Sequence, residues 1–184
     1  MPGPWFNCVA QGIRSSLRAV FDRLCVFIYS NERAISALER SVNKARLTRL
    51  RSRLKSCGRE LAVQFPVTIT EPHLVELGEK VSLAAYVHIW GGGGVKIGNR
   101  VMVGTHTSIS SLTHDYHSEI MYNTLVRRPV TIGDDVWIGS NCVILPGVSI
   151  GRGVVIGAGS VVTKDLPKNT VAYGTSAHAH KERR

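Results

Sequence analysis

The sequence predicts an all-β solenoid, a parallel β-helix of hexapeptide repeats, with an N-terminal α-helical arm. Three observations carry this. Isoleucine falls on every sixth residue from Ile132 to Ile156 (Ile132, Ile138, Ile144, Ile150, Ile156), and Val162 takes the next place. Glycine follows at 133, 139, 151 and 157. No helical pattern is encoded from Val67 to Tyr173. A helix repeats its apolar face at about 3.6 residues and a half-buried strand at 2, so a six-residue beat belongs to neither. An ordinary α/β sheet would need helices between its strands.

The same phase runs backwards through Leu77, Leu83 and Ile89, then Ile97, Val103 and Ile109. Four residues after most of these comes a small or β-branched residue: Val81, Val87, Val101, Thr107, Val136, Cys142, Val148, Val154 or Ser160. Three hexapeptides then make one triangular coil, whose inward aliphatic residue stacks on its equivalents above and below. Each buried Ile, Leu or Val contributes about 1.5–3 kcal/mol, which offsets the chain entropy lost on ordering. Glycine after the aliphatic residue is expected to supply backbone freedom at the corners. The phase slips twice. Gly91 to Gly94 lengthen one corner by two residues, and residues 110–129 form an excursion carrying His114, Asp115, Tyr116, His117, Tyr122, Arg127 and Arg128. Polar loops on a rigid scaffold are where function concentrates.

The chain divides into a basic arm (1–60), a coil domain (61–174) and a basic C-terminal tail (175–184). The formal charge is +10, and residues 1–60 hold 12 Lys or Arg against four Asp or Glu. Within the arm, Ile13, Leu17, Val20, Phe21, Leu24, Phe27 and Ile28 have helical spacing, as do Ile35, Leu38, Val42, Leu50 and Leu54. Two amphipathic helices follow, and Gly58 is expected to end the second. This arm can pack on the protein's own coils or a partner subunit, attach peripherally to an anionic membrane through residues 1–56, or, least in keeping with the pattern, meet nucleic acid. No apolar run approaches about 20 residues and no export signal is evident, so a cytoplasmic protein is expected, with a place at the inner face of the cell membrane open to it. Cys8, Cys25, Cys57 and Cys142 are far apart and read as reduced thiols.

At these residues the chain resembles the hexapeptide-repeat acyltransferases, whose fold is a left-handed parallel β-helix. The span Pro129 to Gly174, PVTIGDDVWIGSNCVILPGVSIGRGVVIGAGSVVTKDLPKNTVAYG, is similar to the branch of maltose, galactoside and Nod-factor O-acetyltransferases. Weaker similarity back to Val67 extends to bacterial O-acetyltransferases of capsule and lipopolysaccharide pathways. The resemblance implies an acetyl-CoA-dependent O-acetyltransferase acting on a saccharide hydroxyl in surface polysaccharide or lipopolysaccharide biosynthesis. It also implies a homotrimer with active sites between subunits, and no metal.

By this resemblance His114, in Leu112-Thr113-His114-Asp115, is the general base. A neutral imidazole can take the proton of a sugar hydroxyl as it attacks the thioester, and losing such a base costs about 10²- to 10⁴-fold in rate. His117 either orients His114, contacts acceptor or is a bystander. Gly139, Ser140, Gly157 and Ala158 match the cofactor groove, where Ser140 can steady the oxyanion. Thr163 and Lys164 match the pantetheine and phosphate end. Trp137, Tyr86 and Tyr122 are candidates for the acceptor side. Two departures stand out: Ala84-Ala85-Tyr86 replaces a rung that carries Asn in simple-sugar members, and the tail Gly174-Thr175-Ser176-Ala177-His178 lacks the family's Pro and Arg. Lys181, Arg183 and Arg184 are the substitutes for those phosphate contacts. Antibiotic and serine acceptors also stay open. A zinc carbonic-anhydrase-like site would need three converging histidines, and His88 and His106 hold different places in their hexapeptides. A non-catalytic scaffold is the remaining alternative.

Overall fold

The structure is a computed structural model describing residues 18–27 and 30–183, which form two compact units, Met1–Arg46 and Leu47–Arg184. In the first unit, helix α1 covers residues 18–27, and its Val20, Phe21, Leu24, Val26 and Phe27 are all exposed. Ile13, Leu17, Ile28 and Cys8 lie outside the described residues. Helix α2 (Glu32–Arg53) begins where the Asn31 side chain accepts the Ala34 N–H at 3.2 Å, with Glu32 in its first turn and Arg51 and Arg53 in its last. Its final turns belong to the second unit. There Leu54 is buried, and Leu47 and Leu50 pack against the same core.

The helix stops at Arg53, five residues before the expected Gly58. The Lys55 N–H leaves the helical ladder and donates to Pro72 O and Val75 O of the coil.

From there the chain winds through three flat faces, with strands numbered in chain order. Face one carries β1 (Ser56–Cys57), β4 (Val75–Leu77), β7 (Val95–Ile97), β12 (Val130–Ile132) and β15 (Ser149–Ile150). Face two carries β2 (Ala62–Val63), β5 (Ser82–Leu83), β8 (Met102–Val103), β13 (Trp137–Ile138), β16 (Val155–Ile156) and β18 (Thr170–Gly174). Face three carries β3 (Thr68–Thr70), β6 (His88–Trp90), β9 (Ser108–Ser110), β14 (Val143–Ile144) and β17 (Val161–Val162). Every neighbouring pair within these faces is parallel, so successive coils lie about 4.8 Å apart.

The six-residue beat becomes three columns. Leu77 pairs with Ile97, Ile97 with Ile132 and Ile132 with Ile150; Leu83, Val103, Ile138 and Ile156 form the second column, and Ile89, Ile109, Ile144 and Val162 the third. All twelve are buried, as are the nine residues at the second inward position. One coil lies below those expected: Cys57, Val63 and Ile69 continue the beat and pair with Leu77, Leu83 and Ile89. At the other end, the basic tail is a strand. Here β19 (Ala177–Glu182) runs antiparallel to β18 and covers the open edge of face two.

The corner glycines act differently from the expectation. Positive φ falls two residues later, at Asp135 (59°), Asn141 (57°), Gly153 (73°) and Gly159 (72°), and also at Lys80, Tyr86, Arg100 and His106. Gly133, Gly139 and Gly151 are small for a different reason. A Cβ on them would stand 2.7, 2.6 and 2.5 Å from a backbone nitrogen of the next coil.

Between β9 and β12 the excursion folds into an antiparallel hairpin, β10 (Leu112–His114) with β11 (Leu125–Arg127), closed by a short 3₁₀ turn at Met121–Asn123. It leaves from the corner between faces three and one. The tetraglycine occupies the same corner one coil below, where the Gly93 N–H donates to Ser111 Oγ at 2.8 Å and the Val130 N–H to Gly94 O at 3.0 Å.

Candidate active site

His114 is the last residue of β10 and stands exposed on the hairpin. Its Nδ1 lies 2.8 Å from the carbonyl oxygen of Met121. A carbonyl only accepts, so Nδ1 carries the hydrogen, and in the neutral ring Nε2 holds a lone pair. The Met121 carbonyl is itself fixed, since the Thr124 N–H and hydroxyl both donate to it, at 3.1 and 2.8 Å. The group that orients His114 is therefore a backbone carbonyl. His117 turns instead onto Tyr116, ring centroids 4.2 Å apart, while its own N–H donates to Asp115 Oδ1. Tyr122 lies at the hairpin tip, 85% exposed, among the exposed Tyr116, Ile120, Met121 and Leu125.

Gly139, Ser140, Gly157 and Ala158 come together at the corner between faces two and three. Gly104 continues the column below, where a Cβ would meet the Ser140 nitrogen at 2.6 Å, so adjacent coils touch backbone to backbone. The Gly139 N–H donates to Ile156 O and the Gly157 N–H to Ala172 O. No acceptor among the described residues takes the N–H of Ser140 or of Ala158, or the Ser140 hydroxyl proton. Two spare N–H groups on successive coils, with no bulky side chain beside them, suit the carbonyl oxygens of an amide-bearing or thioester ligand.

The same corner carries a residue that sequence reasoning left without a role here. His106 and Tyr86 stack with centroids 4.7 Å apart and planes at 17°. The Thr105 hydroxyl donates to Ala85 O at 2.6 Å, so its oxygen accepts from His106 Nδ1 at 2.9 Å. His106 thus presents a second outward Nε2 lone pair, one coil below Asn141. The signal was available: Tyr86 and His106 each stand three residues before a column residue, Ile89 and Ile109.

The remaining candidates lie elsewhere. Thr163 and Lys164 follow β17 and are exposed at the opposite edge of face three, on the corner from which the hairpin leaves. Trp137 projects from face two between Met102 and Val155 and is 52% exposed. Arg183 donates to Asp135 O at 3.1 Å and Gly153 O at 3.2 Å, on the third corner, away from Gly139 and Lys164 alike. Arg184 lies outside the described residues. Lys181, on β19, pairs with Val171 of β18, and His180 of β19 stacks on Tyr173 at 3.6 Å. His88 is on face three beside Trp90, apart from His106, and burial pushes its imidazole below the usual range. Among the described residues no three His, Cys, Asp or Glu side chains converge as a metal site would require.

Residues 129–164 match the bacterial transferase hexapeptide family (six repeats). An Escherichia coli K12 protein named for an acetyltransferase of colanic acid biosynthesis is 31% identical over 126 residues, covering 68% of each chain. The chain belongs to the hexapeptide-repeat acetyltransferases. With that, the coil is the left-handed parallel β-helix of this family. A hexapeptide-repeat acetyltransferase from Vibrio cholerae, solved in complex with acetyl coenzyme A, superposes with a TM-score of 0.73 at 30% identity, over 77% of this chain and 78% of that one. The galactoside O-acetyltransferase of Escherichia coli K12 is 46% identical over 89 residues, 48% of this chain. The match spans 44% of that enzyme, so the chain covers less than half the length of the galactoside relatives.

Proposed function

We propose that the protein transfers the acetyl group of acetyl-CoA to a saccharide hydroxyl, in the making of a surface polysaccharide or lipopolysaccharide. The observation that carries this is the tautomer of His114. With Nδ1 held by the Met121 carbonyl, Nε2 is the free base that a hydroxyl nucleophile needs. In the reaction Nε2 takes the hydroxyl proton while the oxygen attacks the thioester carbon. The Ser140 N–H or hydroxyl donates to the oxyanion, the carbon–sulfur bond breaks, and the imidazolium returns its proton to the departing thiolate. No covalent enzyme intermediate is formed.

The Ser140 corner and the His114 hairpin stand at opposite edges of face three in one chain, so the site is completed between copies. The hairpin of one subunit meets the Ser140 corner of its neighbour in a homotrimer, and the exposed Tyr116, Ile120, Met121, Tyr122 and Leu125 supply the apolar contact. Gly157 and Ala158, on the coil above Ser140, take the donor arm, and Thr163 and Lys164, across face three on the hairpin's corner, take its far end. The acceptor is left the coils below, where Tyr86 offers a ring face and His106 a lone pair to sugar hydroxyls. No helix among the described residues is long and apolar enough to cross a membrane. The basic arm, with the apolar side chains of α1 exposed, is read as a peripheral attachment to an anionic membrane from the cytoplasmic side.

Thiol release from acetyl-CoA across a panel of saccharides, streptogramin-type antibiotics and serine tests the reading. Release with saccharides alone is expected; release only with a drug or serine contradicts it.

A further inference from the structure

The tetraglycine corner has a second consequence. Gly92, Gly93 and Gly94 form one wall of a cavity of about 320 Å³, on the outer side of face one at the foot of the hairpin. The size is at the lower end for small-molecule pockets and leaves room for a single sugar unit. Its wall bears no side chains for a reason: a Cβ on Gly93 would stand 2.0 Å from Ser111 O, and one on Gly92 would stand 2.1 Å from the Glu71 carboxylate.

The lining is unevenly charged. Lys55, Lys96 and Arg127 face it, against the single carboxylate of Glu76. Lys55 Nζ holds that carboxylate at 2.8 Å, and with Lys96 beside it on the next coil the Glu76 carboxyl is drawn below its usual range. Arg127 Nη2 comes no nearer than 3.9 Å to Glu71. The Lys96 side chain makes no ion pair or hydrogen bond with the described residues, and Arg127 has only its long, exposed pair with Glu71, so both cations can turn to a ligand.

The cavity is tied to the catalytic hairpin. Leu112 pairs with Arg127 and His114 with Leu125. Paired residues share a face of the ribbon and so do residues two apart, which puts Arg127 and His114 on the same face, diagonal neighbours about 7–8 Å apart. A ligand anchored at Arg127 therefore extends toward the base within the length of one or two sugar units.

We propose that this cavity binds an anionic oxygen group of the acceptor saccharide, a uronate carboxylate or a sugar phosphate, and so selects acidic acceptors. The proposal rests on the saccharide reading above and adds the charge class of the acceptor. Arg127 grips the anion, Lys96 neutralises it, and Thr131 beside Lys96 on the coil above adds a hydroxyl.

The test is an NMR titration of the ¹⁵N-labelled full chain with glucuronate, glucose 1-phosphate and glucose, following the amides of Gly92, Gly93, Gly94 and Thr131. Glucuronate, glucose 1-phosphate or both should move these amides, and the arm that does so identifies the anion. Glucose should not. Lys96→Gln and Arg127→Gln should each weaken the effect about tenfold and leave calorimetric acetyl-CoA binding unchanged. Equal response to glucose, no response to either anion, or no loss in both variants overturns the site. If anions bind here while no saccharide releases thiol from acetyl-CoA, the cavity stands and the transferase reading falls.

Discussion

Replacing His114 by alanine removes an imidazole whose Nδ1 the hairpin holds and whose Nε2 it leaves free, and touches nothing that builds the coil. The ring is exposed and its single hydrogen bond runs to the Met121 carbonyl, which keeps both of its Thr124 donors. Stability should therefore change little. The rate should fall about 10²- to 10⁴-fold. At about 1.36 kcal/mol per tenfold, that is about 2.7–5.4 kcal/mol of transition-state stabilisation. Because Nε2 acts on the hydroxyl proton only during attack, the loss belongs in kcat, with the dissociation constant of acetyl-CoA unmoved. The assay is steady-state thiol release with the best acceptor, paired with calorimetry for acetyl-CoA. A kcat within about threefold of the parent would refute the base assignment.

Three further outcomes follow from particular residues. Gly139→Ala places a Cβ 2.6 Å from Ala158 N and 2.9 Å from both Ala158 Cα and Ile156 O. These are backbone atoms that cannot step aside, so urea unfolding should show a loss of about 1–3 kcal/mol and calorimetry weaker acetyl-CoA binding; an unchanged midpoint contradicts the close contact of the coils. Asp135 accepts from Arg100 at 2.6 Å and from Arg152 at 3.1 Å, and its carboxyl is held below the usual range, first by the Arg100 hydrogen bond. A lowered carboxyl stabilises the fold above the unfolded value, about 3.9, and that contribution is lost as pH falls through the folded value. Parent and Asp135→Asn should thus differ near pH 7 and converge in acid, and urea midpoints that stay parallel down to about pH 3 count against the cluster. Anionic vesicles should sediment the full chain and leave behind a version lacking residues 1–46, which keeps Leu47, Leu50 and Leu54 on the core, and equal partitioning ends the membrane reading.

Much of this molecule is legible from its sequence because the repeat is the fold. Ile132 to Val162 announce three columns, and the eight-residue step from Ile89 to Ile97 locates the tetraglycine corner. The ends were less readable. Cys57, Val63 and Ile69 keep the beat, yet they cover a terminal coil, are only partly buried, and follow a basic helix that masks where the coil begins. The tail hides a strand because only Ala177 of β19 is buried, and one small side chain signals no apolar face. His114 stands out as a candidate through the resemblance and its place on the excursion. Its partner could not, since Met121 contributes a carbonyl that any residue would have. The corner glycines were found but misassigned, because close approach of coils and left-handed backbone both favour glycine, and only the dihedral angles tell them apart.

The most direct measurement asks whether the site is shared between subunits. His114→Ala spoils the hairpin and Ala158→Trp blocks the corner, each on an exposed residue. Co-refolded in equal amounts, the two inactive proteins should regain about a quarter of parental activity, because that fraction of boundaries joins an intact hairpin to an intact corner. Activity that stays at the level of the separate variants would mean that each chain uses its own hairpin and corner, and the account would fail.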